Sequence, residues 1–294
     1  MTATWLEAAI NGPWSRSRQQ LMPISAAECI ADGIACAREG AAIIHVHAYD
    51  ADTGRQNDDP ETYARIIEGI RAVADVIVYP TLPLTVTSAA FDPKAATDRF
   101  AAVEFLCRRG LLEWAVVDPG SLNLTTFADV EAGRMGPIYL NPEAHIRAGL
   151  ELAEQYGFAP SYATYEPGFT RLGAALARRY PKLPEPIYRF MFTTHFTFGY
   201  PPEPFALAAH LALLEREAPN AKWMAAGLGV DIIPLIPDVI AAGGHVRVGL
   251  EDAPLGTDIT NAEWVSRAAR AIAAFGGQLA PAVEVRRALA RPIK

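Results

Sequence analysis

The sequence predicts an α/β protein of the (β/α)8, or TIM-barrel, class, and three observations carry that expectation. Eight strand-like segments alternate with eight helix-like segments along the chain. The strand-like segments include continuous apolar runs, as parallel strands buried on both faces require. The 294 residues exceed the roughly 250 that such a barrel needs. No Pro/Gly/Ser-rich linker or low-complexity tract divides them, and no GxGxxG follows a strand to suggest a dinucleotide-binding sheet. The expected organisation is one domain over residues 1–294 with a short C-terminal helical extension.

Taken in order, Thr4–Asn11 reads as the first strand, ending at Asn-Gly-Pro. Ser25–Glu39 reads as a helix, with Ser25 as N-cap, Glu28 completing a capping box and Gly40 at the C-cap side. The second strand lies within Ala41–Asp50, and the next helix, Pro60–Ala74, takes Asp59 as its cap. Val76–Leu82 is the third strand, followed by one helix over Pro93–Arg109 with Asp92 as its cap. Glu113–Asp118 is the fourth strand, leading into the loop Pro119–Asn123. Pro142–Tyr156, Phe169–Arg179 and Pro204–Glu217 are helices, interleaved with strands at Ala159–Tyr165, Ile187–Thr194 and Lys222–Gly227. A helix over Asp231–Ala242 ends at Gly243-Gly244, and His245–Leu250 is the eighth strand. Asn261–Phe275 is the eighth helix, and Pro281–Ala290 forms the extension.

Composition narrows the function classes. A net charge of −7 argues against general nucleic-acid binding, which wants a basic face. No run approaches the roughly 18 apolar residues of a membrane span, and the first residues lack the pattern of a secretory signal. Cys29, Cys36 and Cys107 are odd in number and form no CxxC, so neither a disulfide framework nor a thiolate metal site is expected. A reduced cytoplasm is the expected setting.

In such barrels the active site lies at the C-terminal ends of the strands. The second strand places His45 and His47 there, two residues apart and hence on one side. Two neutral imidazoles on one face make half of a divalent-metal site, zinc above all; a pair of buried histidines bonded to backbone carbonyls is the alternative. In a closed barrel the eighth and second strands both flank the first, so Glu251, after the eighth strand, can reach across as third ligand. Two histidines and a glutamate form a catalytic zinc set that leaves a position open. Asp252 is then free to act as a base, with Arg247 holding it ionised, although an Arg–Asp pair can be purely structural. Asn11, Thr81, Asp118, Ser121, Glu166 and His195 also fall at strand ends.

The HVH of the second strand, PGSLN after the fourth, and GGHVRVGLED followed by TNAEWV resemble the β-keto acid cleavage enzymes, whose best-known member is the 3-keto-5-aminohexanoate cleavage enzyme. The resemblance runs from AAINGP to the terminal helix. It implies a zinc-dependent (β/α)8 enzyme, usually homotetrameric. The reaction it implies is a reversed-Claisen exchange in which a β-keto acid and acetyl-CoA give acetoacetate and a new acyl-CoA. It assigns His45, His47 and Glu251 to zinc, Asp252 and Arg247 to catalysis, and Thr81 and Ser121 to substrate hydroxyl contacts. The amino-acid-cleaving member holds its ammonium group with two glutamates. The nearest positions here are Trp14 and Ala163, with Glu166 close to the second. That argues against the amino substrate and favours an apolar or quaternary-ammonium acyl chain. Another metal-dependent barrel aldolase or hydrolase, and a barrel that only binds small molecules, share the same site pattern.

Overall fold

The computed structural model describes residues 3–50, 52–84 and 93–289. In chain order the first half holds β1 (Leu6–Ala9), α1 (Ala26–Arg38), β2 (Ile43–Val46), α2 (Pro60–Arg71), β3 (Ile77–Pro80), α3 (Pro93–Arg99), α4 (Ala101–Arg108) and β4 (Trp114–Val116). A small antiparallel ribbon follows, β5 (Leu122–Asn123) with β6 (Ile138–Tyr139), around α5 (Phe127–Glu131). The second half holds α6 (Glu143–Tyr156), β7 (Ala159–Thr164), α7 (Pro167–Ala177), β8 (Ile187–Phe192), α8 (Pro204–Glu217) and β9 (Trp223–Gly227). A 3-10 turn (Ile233–Leu235), α9 (Ile236–Ala241), β10 (His245–Val248), α10 (Asn261–Ala274) and α11 (Ala282–Leu289) complete it.

The strands β1–β4 and β7–β10 form an 8-stranded parallel sheet in the order β3-β2-β1-β10-β9-β8-β7-β4. Its two ends, β3 and β4, lie side by side, so the sheet curls into a nearly closed barrel with helices outside. Among the described residues no ladder joins β3 to β4. The strands are buried on every residue, as their apolar runs require: Ile43, Ile44 and Val46 of β2 are fully buried, each stabilising the fold by roughly 1.5–3 kcal/mol.

Local signals behave as the residues dictate. Glu28 N–H donates to Ser25 Oγ at 3.2 Å and Ser25 N–H donates to Glu28 Oε2 at 2.8 Å, closing the capping box of α1. Thr62 N–H donates to Asp59 Oδ2 at 2.9 Å at the start of α2. Three features depart most from expectation. The helix expected over Pro93–Arg109 breaks at Phe100, whose buried ring packs against Gly149, where a Cβ would lie 2.6 Å from it. The helix expected over Asp231–Ala242 becomes a 3-10 turn and a short helix, because Pro234 and Pro237 each lack an amide donor. The β5–α5–β6 insertion has strands of two residues, too short for a period-2 pattern to announce them. Asp92, the expected cap, lies outside the described residues.

Candidate active site

Register positions the site. Glu7 of β1 pairs with Arg247 of β10, and Ala9 pairs with His45 of β2. At the exit of β10, Gly249 adopts φ +134°, and a Cβ there would stand 2.3 Å from the Ala9 carbonyl oxygen. Only glycine lets this turn lie flat on β1. The turn is secured by the Glu251 N–H, which donates to the Ala9 carbonyl at 3.1 Å. The Glu251 side chain is thereby carried over β1 toward β2. Gly12 leaves room for it, since a Cβ at that position would lie 2.4 Å from Glu251 Cγ.

His45 and His47 meet Glu251 there. Glu251 Oε2 lies 3.3 Å from His45 Nε2 and 3.7 Å from His47 Nε2, and the possible ligand atoms of all three fall within 4.8 Å of one another. His47 Nε2 and Glu251 Oε2 are buried without a hydrogen-bond partner, an expensive arrangement for two polar atoms that face each other. A divalent cation between them satisfies both, so the donors fit a metal. His47 Nδ1 lies 3.0 Å from Gln56 Oε1, which fixes the tautomer with Nε2 free for a metal. Asn11 grips the backbone of His47 from both sides: its Nδ2 donates to the His47 carbonyl at 2.8 Å and its Oδ1 accepts from the His47 N–H at 2.9 Å. Burial holds the His45 pKa well below its usual value, leaving the imidazole neutral as a ligand must be.

Arg247 organises the carboxylates. Its Nε donates to Asp252 Oδ2 at 2.9 Å and its Nη2 to Asp252 Oδ1 at 2.8 Å. The same Nη2 lies 2.8 Å from Glu251 Oε1, and Nη1 donates to Glu7 Oε1 at 3.3 Å. Burial raises the Glu251 carboxyl, but Arg247, His45 and His47 together overcome it and hold it well below the carboxylate range. Burial pushes Asp252 up to about 7 against the pull of Arg247, with Glu251 and Glu7 adding repulsion.

These groups open onto a cavity of about 620 Å³ at the C-terminal mouth of the barrel, the size range of small-molecule sites. His45, His47, Glu251, Arg247, Thr81 and Trp14 line it. Asp252 does not; it stands behind the Arg247 guanidinium, 2% exposed. Trp14 is tied to Glu251 itself, its indole N–H donating to the Glu251 carbonyl at 2.8 Å. Ser121 and Glu166 stand off the cavity wall. Ser121 Oγ accepts from the Asn141 N–H at 2.7 Å, and Glu166 Oε1 accepts from the Gly199 N–H at 3.2 Å. His195 is exposed at the rim. Sequence reasoning missed Gln56, Tyr79, whose hydroxyl donates to Glu7, and the buried Arg189 that faces the cavity. The available signal for Arg189 was a lone arginine inside the apolar run IYRFMF.

A profile described as "beta-keto acid cleavage enzyme" matches residues 3–290. The 3-oxoadipate:acetyl-CoA acetyltransferase of Cupriavidus necator is 25% identical over 98% of this chain and 94% of its own length. The 3-dehydrocarnitine:acetyl-CoA trimethylamine transferase of Rhizobium meliloti is 24% identical over 93% of this chain and 91% of its own. Among solved structures, the binary complex of ObcA with oxaloacetate shares the fold with a TM-score of 0.74 at 16% identity, covering 92% of this chain and 67% of that one. A family match that runs nearly end to end, over a barrel with its polar residues gathered at one mouth, leads to one conclusion: this chain is an enzyme of the beta-keto acid cleavage family.

Proposed function

We propose that the chain catalyses zinc-dependent acyl exchange between a β-keto acid and acetyl-CoA, giving acetoacetate and a new acyl-CoA. The bond between the keto carbon and the methylene beside the carboxylate breaks. The acyl group leaves on the CoA sulfur, and the methylene carboxylate joins the acetyl group. The observation that carries this reading is the convergence of His45, His47 and Glu251 with Arg247 on one cavity, within a family whose relatives are named for acetyl-CoA transfers. Zinc held by His45, His47 and Glu251 supplies Lewis acidity for the keto oxygen. Arg247 faces the cavity and donates N–H bonds to charge that develops on oxygen. Asp252 orients that guanidinium. It takes a proton from Arg247, 2.8 Å away, and the neutral guanidine so formed takes the proton leaving the substrate. Thr81 and Trp14, on the cavity wall, position the substrate.

Purified protein of measured metal content, incubated with β-keto acids with and without acetyl-CoA, tests the reading. Acetoacetate and acyl-CoA are expected in equal amounts, with about one zinc per chain. Loss of keto acid that does not depend on acetyl-CoA would overturn it in favour of a hydrolase or aldolase. Asp252→Asn is expected to retain its metal while turnover falls by ~10²-fold or more; loss of metal instead would make Asp252 a ligand. The family resemblance also implies a homotetramer. The apolar side chains of Phe127, Val130, Met135 and Ile138, exposed on the insertion, suit a contact between copies, and light scattering measures it.

A further inference from the structure

Arg189 is a buried cation with no ion-pair partner among the described residues. It sits in mid-β8, 3% exposed, and contributes to the cavity wall. Its Nε makes no hydrogen bond, and among the described residues no carboxylate pairs with it. Tyr79, Glu7 and Asp118 act on it only through space, where together they outweigh its burial and the repulsion of Arg247 and favour its charged form. Glu7 Oε1 is occupied by the Tyr79 hydroxyl and Arg247. Asp118 accepts from the Ala163 N–H at 2.7 Å and the Tyr139 hydroxyl at 2.6 Å. Arg247, by contrast, is tied to three carboxylates, Arg134 pairs with Asp129 at 2.8 Å, and Arg18, also on the cavity wall, is exposed to water rather than buried. A guanidinium left unpaired out of water is costly, and such groups persist where a ligand completes them.

Its place in the ring of strands says which end of a ligand it meets. In the order β3-β2-β1-β10-β9-β8-β7-β4, β8 stands opposite β2, with three strands between them on either side. Arg189 therefore faces the metal-ligand histidines across the mouth, near enough for its charge to act on His45. Val116, Met191, Phe196 and Leu228 give the cavity an apolar stretch of lining, beside the polar Thr81, Asp118 and Tyr165. A ligand whose keto-acid end lies at His45, His47 and Arg247 spans this apolar stretch and brings its far end to a forked cationic donor. That donor suits a carboxylate, which it binds through two parallel N–H bonds, and repels an ammonium group.

We propose that Arg189 selects β-keto acids that carry a second carboxylate at the end remote from the reacting carbons. The proposal rests on the acyl-exchange reading for the reacting end and departs from the apolar or cationic chain that the sequence suggested. Two measurements test it. By calorimetry on metal-loaded protein, the unreactive six-carbon diacid is expected to bind roughly tenfold or more tightly than the six-carbon monoacid, and the ω-amino acid of that length least. In Arg189→Met the diacid preference disappears. Arg189→Gln serves the same comparison if the methionine variant misfolds. In turnover, Arg189→Met raises KM for the six-carbon β-keto diacid and leaves kcat, and both constants for the β-keto monoacid, unchanged. Equal losses on diacid and monoacid would overturn the proposal, because Arg189 would then serve the carboxylate that all β-keto acids share. Equal binding of diacid and monoacid by wild type would overturn it too. Diacid binding that depends on Arg189 without turnover of any keto acid would keep the anion site and refute the acyl-exchange reading alone.

Discussion

At the scale of single residues, the groups behind His45, His47 and Glu251 matter as much as those three. Gln56, whose Nε2 donates to Asp58 Oδ1 at 3.0 Å, turns its Oε1 to His47 Nδ1 and so decides which imidazole nitrogen is free. Gln56→Leu is expected to leave the fold intact and weaken metal retention by about 10–100-fold, read by competition with a chelator; unchanged retention would show that His47 needs no such orientation. His210 of α8 has a different role. Its ring stacks on Phe190 at 4.4 Å, and neither nitrogen has a hydrogen-bond partner. Burial pushes its pKa down to about 4. Below the ordinary imidazole value near 6.5 the unfolded chain takes a proton that the folded chain refuses, so stability falls as pH drops from about 6.5 toward 4. The contribution lost is on the order of 3 kcal/mol, and His245, pushed down to about 3, acts in the same direction. Melting curves at pH 4.5 and 7 should lie closer together for His210→Phe than for wild type; an unchanged gap would mean that other groups set the acid limit. His45, His47 and Glu251 were legible in the sequence because strand parity and ring closure together place them. Arg189 was not, because inside an apolar run parity cannot say whether a lone polar side chain faces the cavity or the helices.

At the scale of elements, turns rather than strands aim the chemistry. The loop after β1 and the turn after β10 press against each other through Gly12 and Glu251. Gly12→Ala, at φ +72°, meets both the strain of that backbone conformation, about 1–2 kcal/mol, and the root of the Glu251 side chain. Purified Gly12→Ala is expected to contain little metal and to melt a few degrees lower; full metal content would show that the loop yields. Helix starts were readable from Ser25, Glu28 and Asp59, since capping is written in adjacent residues. The break at Phe100 was not, because it answers to Gly149, which the chain brings near only after folding. The insertion after β4 escaped for the plainer reason that its strands are two residues long.

At the scale of the whole molecule, the barrel closes differently around its ring. Seven of its neighbouring strand pairs share ladders, and β3 and β4 meet without one among the described residues. Tyr79 of β3 stacks on Trp114 of β4 across the seam at 5.7 Å, and an ionic clasp lies beside it. Arg286 of α11 reaches Asp75 at 2.6 Å, just before β3, and also Glu113, just before β4, which Arg71 of α2 holds at 2.6 Å. Arg286→Ala is expected to cost on the order of 1 kcal/mol and to speed amide exchange in β3 and β4 more than in β8 and β9; uniform exchange would show that side-chain packing alone holds the seam. No helix among the described residues is long and apolar enough to cross a membrane. The eightfold alternation made the barrel predictable, whereas the place of its seam was hidden, because parallel strands on either side of it read alike. The clasp has a consequence for the order of events in synthesis. Its arginine lies in α11, downstream of every barrel strand, so a chain still emerging from the ribosome has made β3 and β4 but not the part that fastens them. Until α11 arrives, both strands offer bare edges to any neighbouring nascent chain. Crowded translation is therefore expected to favour edge-to-edge joining of unfinished chains over finished ones.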